Sequence, residues 1–388
     1  MSPLNGERPD LQPLFQRQLA IHQALRRSQI DTFLTNPESL KLPAHIKVEA
    51  AASPRHPESS QDAFLIDAER NIFMVADGMG GLAAGDVASR VAVATFEEFF
   101  QKLVDQAEAY TEADLVATFK AAGQETIARL QVYAAEEGLK ELGTTLTLVH
   151  LFKDGDEAKL FEATVGDSSA YLVTAGECTK LSFNHILWTQ FSHFRADGSF
   201  SDPELALLSP RFFSPTEIHT LVKARHTGRL EEVIRQVVAA LDECGDEKEL
   251  ARMLSPVLAD DTPEMTAIQK FLLLALPGAY RAAHFDLEGY AILLFSTRNN
   301  VDALVNDTNT FNFRHSLRTL DSTRSHAVTL LTDGGTDPLT ASLVGETLTS
   351  DSSILDQVNA VNTPDQDGKY PKRAKFDDVT RVTVEIKT

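Results

Sequence analysis

The order of apolar segments along the chain predicts an α+β fold. Short strand-like runs cluster between His45 and Asp77, two long stretches of helical spacing follow from Gly85, and glycine-punctuated strands resume at Gly143. The regular β–α alternation that marks a parallel sheet is missing.

Residues 1–44 read as a helical preface. Leu11, Leu14, Phe15, Leu19, Ile21 and Leu25 recur at helical spacing, with Pro3, Pro9 and Pro43 as punctuation, and such a stripe packs on its parent domain. Ile46 and Val48 alternate as a strand, a polar loop runs from Ser53 to Ser60, and Gln61–Asp67 is strand-like again. Ile72–Ala76 is an apolar run that delivers Asp77 into Gly78-Met79-Gly80-Gly81; bounded in this way, it reads as a buried strand ending on a carboxylate. Val87 to Leu103 and Leu115 to Tyr133 mark the two helices. Gly143–Val149, Lys159–Val165 and Ala170–Val173 are strands rich in β-branched residues. Between His185 and His326 the pattern loses definition: 218–241, 250–258 and 265–276 read as helical, 290–295 as a strand. Val328–Thr332 is an apolar strand delivering Asp333 into Gly334-Gly335. Residues 343–361 read as helical, 363–375 as a polar loop, and Val379–Ile386 as a last alternating strand.

With 388 residues the chain can bury one large core or two modest ones. The net charge of −20, with no local basic patch, argues against nucleic acid or anionic lipid as a partner. A phosphoanion remains compatible with such a surface if metal ions supply the positive charge. Two cysteines, Cys178 and Cys244, make a disulfide framework unlikely and favour a reducing compartment. The N-terminus lacks a signal pattern, and the longest apolar run, Phe271–Pro277, is too short to span a bilayer. These features set the expectation of a cytoplasmic protein.

Five carboxylates stand out by their settings. Asp77, Asp167 and Asp333 follow apolar strands and adjoin glycine; Asp62 and Asp377 lie at the starts of strands. Aspartates buried at strand ends need a counter-charge, since an unpaired buried carboxylate is costly. Two hard divalent cations would supply it, and oxygen-only ligation suits magnesium or manganese rather than structural zinc. Two such ions, about 3.5–4 Å apart, position a water for in-line attack on phosphorus. Taken singly, each Asp-Gly is an ordinary turn, as Asp154-Gly155 and Asp367-Gly368 are read to be. The chain contains no EF-hand loop.

Taken in order, the motifs resemble the metal-dependent protein phosphatase family, the protein phosphatase 2C class, in its bacterial form. The resemblance rests on SSQDAF around Ser60, VADGMGGLAAGDVAS from Val75, GTTLTLV from Gly143, ATVGDSSAYL from Ala163, LLTDGGTD from Leu330 and DDVTRVTV from Asp377. It implies two packed antiparallel sheets flanked by helices, with metals in a cleft at one end. Asp77 would bridge two Mg²⁺ or Mn²⁺ ions, Asp333 and Asp377 would complete one shell, and the Gly78 carbonyl would help hold the other ion. Asp62 would orient metal-bound water, and Asp167 would serve a third, weaker ion with Asp333. The implied activity is hydrolysis of phosphoserine and phosphothreonine in a protein substrate, in signalling that opposes a serine/threonine kinase.

The chain also departs from the family pattern. The arginine that clamps substrate phosphate stands closer to the Gln-Asp pair in the family than Arg55 does here, although a guanidinium is the right group for a bidentate phosphate contact. Met79 replaces a histidine of eukaryotic members, leaving His56 as candidate general acid. Ser169 replaces an arginine, and Asp378 replaces an asparagine, so the metal ligand is Asp378 if the motif is shifted by one. The span from Asp167 to Asp333 exceeds the family's, which places a largely helical insertion at about 186–326 within a catalytic domain of 45–388. His185 and Trp188, at its start, read as core or hinge residues. Residues 290–304 echo the strand before Asp333 without its aspartate, an alternative location for the family's strand. The alternatives in function are a phosphatase-like pseudo-enzyme that binds phosphoproteins, and a hydrolase of another phosphoester.

Overall fold

The computed structural model describes residues 12–78, 84–107, 109–139, 142–182, 214–230, 232–233, 236, 262–268, 295–296, 313–339, 341–366, 368 and 374–386. The strands are β1 (Ile46–Ala51), β2 (Asp62–Asp67), β3 (Ile72–Asp77), β4 (Gly143–Thr144), β5 (Leu146–Asp154), β6 (Glu157–Val165), β7 (Ser169–Thr174), β8 (Glu177–Lys180), β9 (Phe295–Ser296), β10 (Arg314–Leu320), β11 (His326–Leu331) and β12 (Val379–Ile386). The helices are α1 (Gln12–Arg26), α2 (Gln29–Thr35), α3 (Gly85–Gln106), α4 (Glu112–Glu137), α5 (Pro215–His226), α6 (Asp333–Thr336), α7 (Ala341–Thr349) and α8 (Ile354–Val361).

Two five-stranded sheets carry the fold, in the orders β1-β12-β11-β7-β8 and β10-β6-β5-β3-β2. All their pairings are antiparallel. Side chains alternate across a strand, and here both faces of each sheet find apolar cover. Phe64, Ile66, Phe73 and Val75 of the second sheet pack between the sheets against Val328, Leu330, Val382 and Val384 of the first. Ala63, Leu65, Ile72 and Met74 point the other way, into a core shared with Val91, Phe96 and Phe100 of α3 and Phe119 of α4. Leu331 and Val379 of the first sheet meet Val344 and Leu348 of α7 and Ile354 and Val358 of α8. The architecture is therefore helix, sheet, sheet, helix. No helix among the described residues is long and apolar enough to cross a membrane.

Several elements differ from the sequence reading. Gly143–Val149 is two strands, because at Thr145 both the backbone N–H and the hydroxyl turn to Asp77. The helical region 343–361 is two helices, with Ser353 capping the second through the Asp356 N–H. Strand β10 falls within the span read as inserted, yet it pairs along its length with β6 at the sheet edge. Its charged and polar residues alternate with few apolar ones, as suits an edge strand, so it leaves no apolar run to detect. The preface stripe only partly packs inward. Ile21 and Ala24 of α1 are buried, while Leu14, Phe15 and Leu19 are 43%, 62% and 44% exposed. Of the central readings, α5 and 263–268 are helical. The rest of 237–261 and 269–294, with His185, Trp188 and Cys244, lies outside the described residues.

One buried group sets a testable pH dependence. Glu162 of β6 is 1% exposed and accepts hydrogen bonds from Thr164 Oγ1 (2.5 Å) and Ser316 Oγ (3.4 Å). Burial pushes its carboxyl up to about 7, against the opposing hydroxyls and nearby cations. A carboxyl whose pKa is higher folded than unfolded binds its proton more tightly in the folded state. Stability is then lost as pH rises from the ordinary glutamate range to about 7. Glu162→Gln is expected to match wild type in urea unfolding at pH 4 and to exceed it by about 3 kcal/mol at pH 8.

Candidate metal centre

The same alternation that fills the core aims the carboxylates. In β2 and β3 the residues facing the opposite sheet are Phe64, Ile66, Phe73 and Val75, and continuing that parity to the strand ends brings Asp62 and Asp77 to the same face. They stand directly opposite one another in the β2–β3 register, where like charges repel. From the other sheet, β11 leads through Thr332 into α6 and Asp333, and Asp377 and Asp378 precede β12.

Hydroxyl groups fix this junction. Thr332 Oγ1 donates to Asp62 Oδ2 (2.8 Å) and accepts from the Thr380 N–H (3.0 Å), tying the two sheets together at the site. The Asp77 N–H donates to Thr145 Oγ1 (2.9 Å), while the Asp77 carbonyl accepts from the Thr145 N–H and Thr144 Oγ1 (both 2.8 Å). Thr145 Oγ1 also meets Ser168 Oγ at 2.7 Å, so the strand end carrying Asp77 is joined to the turn carrying Asp167. Gly78 and Gly334 permit the close approaches. A Cβ on Gly78 would lie 2.0 Å from the Gly85 carbonyl oxygen, and one on Gly334 1.9 Å from that of Asp378.

The electrostatics are those of crowded carboxylates. Burial raises the Asp62 carboxyl well above its ordinary value, with Asp378 adding to the effect. Burial and then Asp333, Asp62 and Asp377 do the same to Asp77. Asp167 is half-buried; desolvation, then Asp333 and Asp337, push its carboxyl up to about 7. Burial would also raise Asp333, but the neighbouring Lys375, Asp77 and the Gly334 backbone together outweigh it and hold that carboxyl below its ordinary value. Two carboxylate oxygens, Asp62 Oδ1 and Asp333 Oδ1, are buried without a hydrogen-bond partner. Orphaned oxygens in an all-oxygen setting fit a hard divalent cation. Even so, among the described residues no three His, Cys, Asp or Glu side chains form a ready-made metal cage.

Two residues that the sequence reading did not single out belong to this cluster. Lys375 extends its ammonium among Asp333, Asp337 (3.1 Å) and Asp377 (3.3 Å). Asp337 follows Asp333 by one helical turn, and its carboxyl is pushed up to about 6 by burial, with Lys375 opposing. The i, i+4 spacing in LLTDGGTD was the available signal for Asp337; Lys375 had none.

Of the remaining candidates, the described ones lie on or against the 53–61 loop. Asp378 is 2% exposed and accepts from the Ser53 and Gln61 N–H groups, both at 2.7 Å, so its carboxylate closes the 53–61 loop. His56 belongs to that loop, with Nδ1 3.1 Å from the Ser59 carbonyl and 3.7 Å from Asp378. Arg55 is exposed, its backbone N–H donates to Ser53 Oγ, and it forms no ion pair with these aspartates. Met79 lies outside the described residues.

Strand-end aspartates from both sheets thus meet in one acidic, oxygen-rich cluster. Residues 54–186 match the family model described as protein phosphatase 2C. The matched span holds Asp62, Asp77, Gly78 and Asp167; Asp333 and Asp377 lie beyond it. The serine/threonine phosphatase stp of Listeria welshimeri is 29% identical over 145 residues, 37% of this chain and 55% of that protein. The serine/threonine protein phosphatase PstP of Mycobacterium tuberculosis is 32% identical over 133 residues, 34% of this chain and 24% of that one. The chain thus spans about half the length of the first relative and about a quarter of the second. Among solved structures, the Mycobacterium tuberculosis phosphatase PstP/Ppp aligns with a TM-score of 0.47 and 16% identity, covering 88% of this chain and 98% of that one.

Proposed function

We propose that the chain is a metal-dependent protein-serine/threonine phosphatase. What supports the reading above all is the pair of orphaned, buried carboxylate oxygens on Asp62 and Asp333, in a cluster completed by Asp77 and Asp377. Under this reading Asp77, Asp333, Asp377 and the Gly78 carbonyl hold two Mg²⁺ or Mn²⁺ ions, with Asp62 orienting water and Asp167 serving a third ion. When bound, such ions supply an activated water and neutralise the charge of a transferring phosphoryl group. The protein's own part is orientation: Thr332 fixes the Asp62 carboxylate, and Thr144 and Thr145 fix the backbone at Asp77. Arg55, exposed on the 53–61 loop, is the proposed contact for substrate phosphate, and His56 the proton donor to the leaving group. The N-terminal helices of 1–44 form an extension, 45–388 the catalytic domain, and the inserted span within 186–326 stops short of β10. Partners under this reading are a phosphorylated protein and the kinase that opposes it, in the cytoplasm.

Purified protein is expected to hydrolyse p-nitrophenyl phosphate and a phosphothreonine peptide with Mn²⁺ and to lose that activity in EDTA. Lys375 among the carboxylates favours the second reading, a phosphatase-like binding module. Metal binding by calorimetry without turnover on any phosphopeptide would select it.

A further inference from the structure

We propose that Lys375 is a built-in counter-cation that competes with divalent metal for Asp333 and Asp377, so that metal loading requires its side chain to leave. The inference rests on the metal-site reading above and concerns what occupies the carboxylates before metal arrives.

Lys375 contacts three carboxylates at once, Asp333, Asp337 and Asp377. Two of these are the residues that would complete one ion's shell. Its backbone is held as well. The Lys375 N–H donates to Asn362 Oδ1 (3.0 Å), and Asn362 Nδ2 donates back to the Lys375 carbonyl (2.8 Å). Asn362 directly follows α8, whose Ile354 and Val358 are packed in the core. The lysine is therefore presented from a packed helix end rather than from a free loop, and its side chain is 22% exposed.

An ammonium is a compact, strongly hydrated point charge on a flexible stem. It can relieve the repulsion among these aspartates, but it brings one positive charge where a divalent ion brings two. It satisfies the site only in part, as the orphaned Asp333 Oδ1 shows. A carboxylate already paired with Lys375 is available to metal only in the fraction of molecules whose lysine has swung out, and apparent metal affinity falls by that fraction. The consequence is a site whose carboxylates are partly compensated without metal and whose binding midpoint lies at a higher metal concentration than the carboxylates alone would set.

The test is calorimetric titration of the metal-free full chain with Mn²⁺, paired with thermal unfolding in the absence and presence of saturating Mn²⁺. Lys375→Met is expected to bind Mn²⁺ at least about ten-fold more tightly than wild type. It should also melt lower than wild type without metal and at the same temperature when saturated. Asn362→Ala keeps every charge and frees only the lysine's backbone, so it is expected to tighten binding to a smaller extent; it carries the test if the methionine variant does not fold. Unchanged or weaker Mn²⁺ binding in these variants overturns the inference while leaving the metal site intact. If neither wild type nor Lys375→Met binds Mn²⁺, or if Asp333→Asn binds as wild type does, the metal-site reading fails and the inference falls with it. Binding by Lys375→Met where wild type shows none supports it most directly.

Discussion

Asp77→Asn is expected to be more stable than wild type without metal and inactive with it. Asp77 sits across from Asp62 in the β2–β3 register and shares its surroundings with Asp333 and Asp377. Asparagine keeps the shape and removes one charge from a crowded group, so repulsion in the metal-free protein drops. The backbone bonds to Thr144 and Thr145 involve no side-chain atom of Asp77 and survive the change. What is lost is the anionic oxygen proposed to bridge two ions. If that bridge contributes about 4 kcal/mol to the transition state, Mn²⁺-dependent hydrolysis falls about 10³-fold. Melting of the metal-free variant above wild type, together with this loss, marks Asp77 as a residue kept for function at the expense of stability. Wild-type activity in the variant would remove Asp77 from the site.

Gly334→Ala is expected to damage fold and site together. The new Cβ would lie 1.9 Å from the Asp378 carbonyl oxygen and 3.2 Å from Asp377 Cβ. Both neighbours belong to the chain entering β12, and a main-chain carbonyl has no rotamer by which to retreat. Relief requires α6 and the start of β12 to separate, which moves Asp333 away from Asp377 and strains the Thr332–Thr380 bonds. The cost is expected to reach about 3 kcal/mol in chemical denaturation, the upper part of the range for overpacking a filled site. Mn²⁺ affinity should fall with it. Alanine at Gly138 is the control: nothing lies within 4 Å of its Cβ, and only the positive φ of 66° penalises the change. Gly334 itself has no positive φ, so destabilisation no greater than at Gly138 would show that the close approach is relieved without the expected separation.

Much of this arrangement was legible in the sequence, and the reason is periodicity. Ile72–Ala76 reads as a buried strand because every residue in it is apolar, and it is buried on both faces, under α3 and against the opposite sheet. Val379–Ile386 reads as a strand because it alternates, and β12 has those bounds. The aspartates were visible because each adjoins a strand end. Strand β10 and the division at Thr145 were not legible: an edge strand needs few apolar residues, and a hydroxyl that bonds a distant backbone looks like any β-branched strand residue.

By itself the sequence determined the apolar strands of the two sheets, which of their faces are apolar and where the acidic residues stand relative to strand ends. All of these follow from local spacing. Only the tertiary structure decided what those carboxylates meet. Asp378 turned out to close the 53–61 loop, Asp337 joined the cluster one helical turn from Asp333, and Lys375 reached Asp333 from far along the chain. Such contacts depend on how two sheets and a helix end pack against one another. Electrostatic partners are selected by that packing, so spacing along the chain carries no record of them.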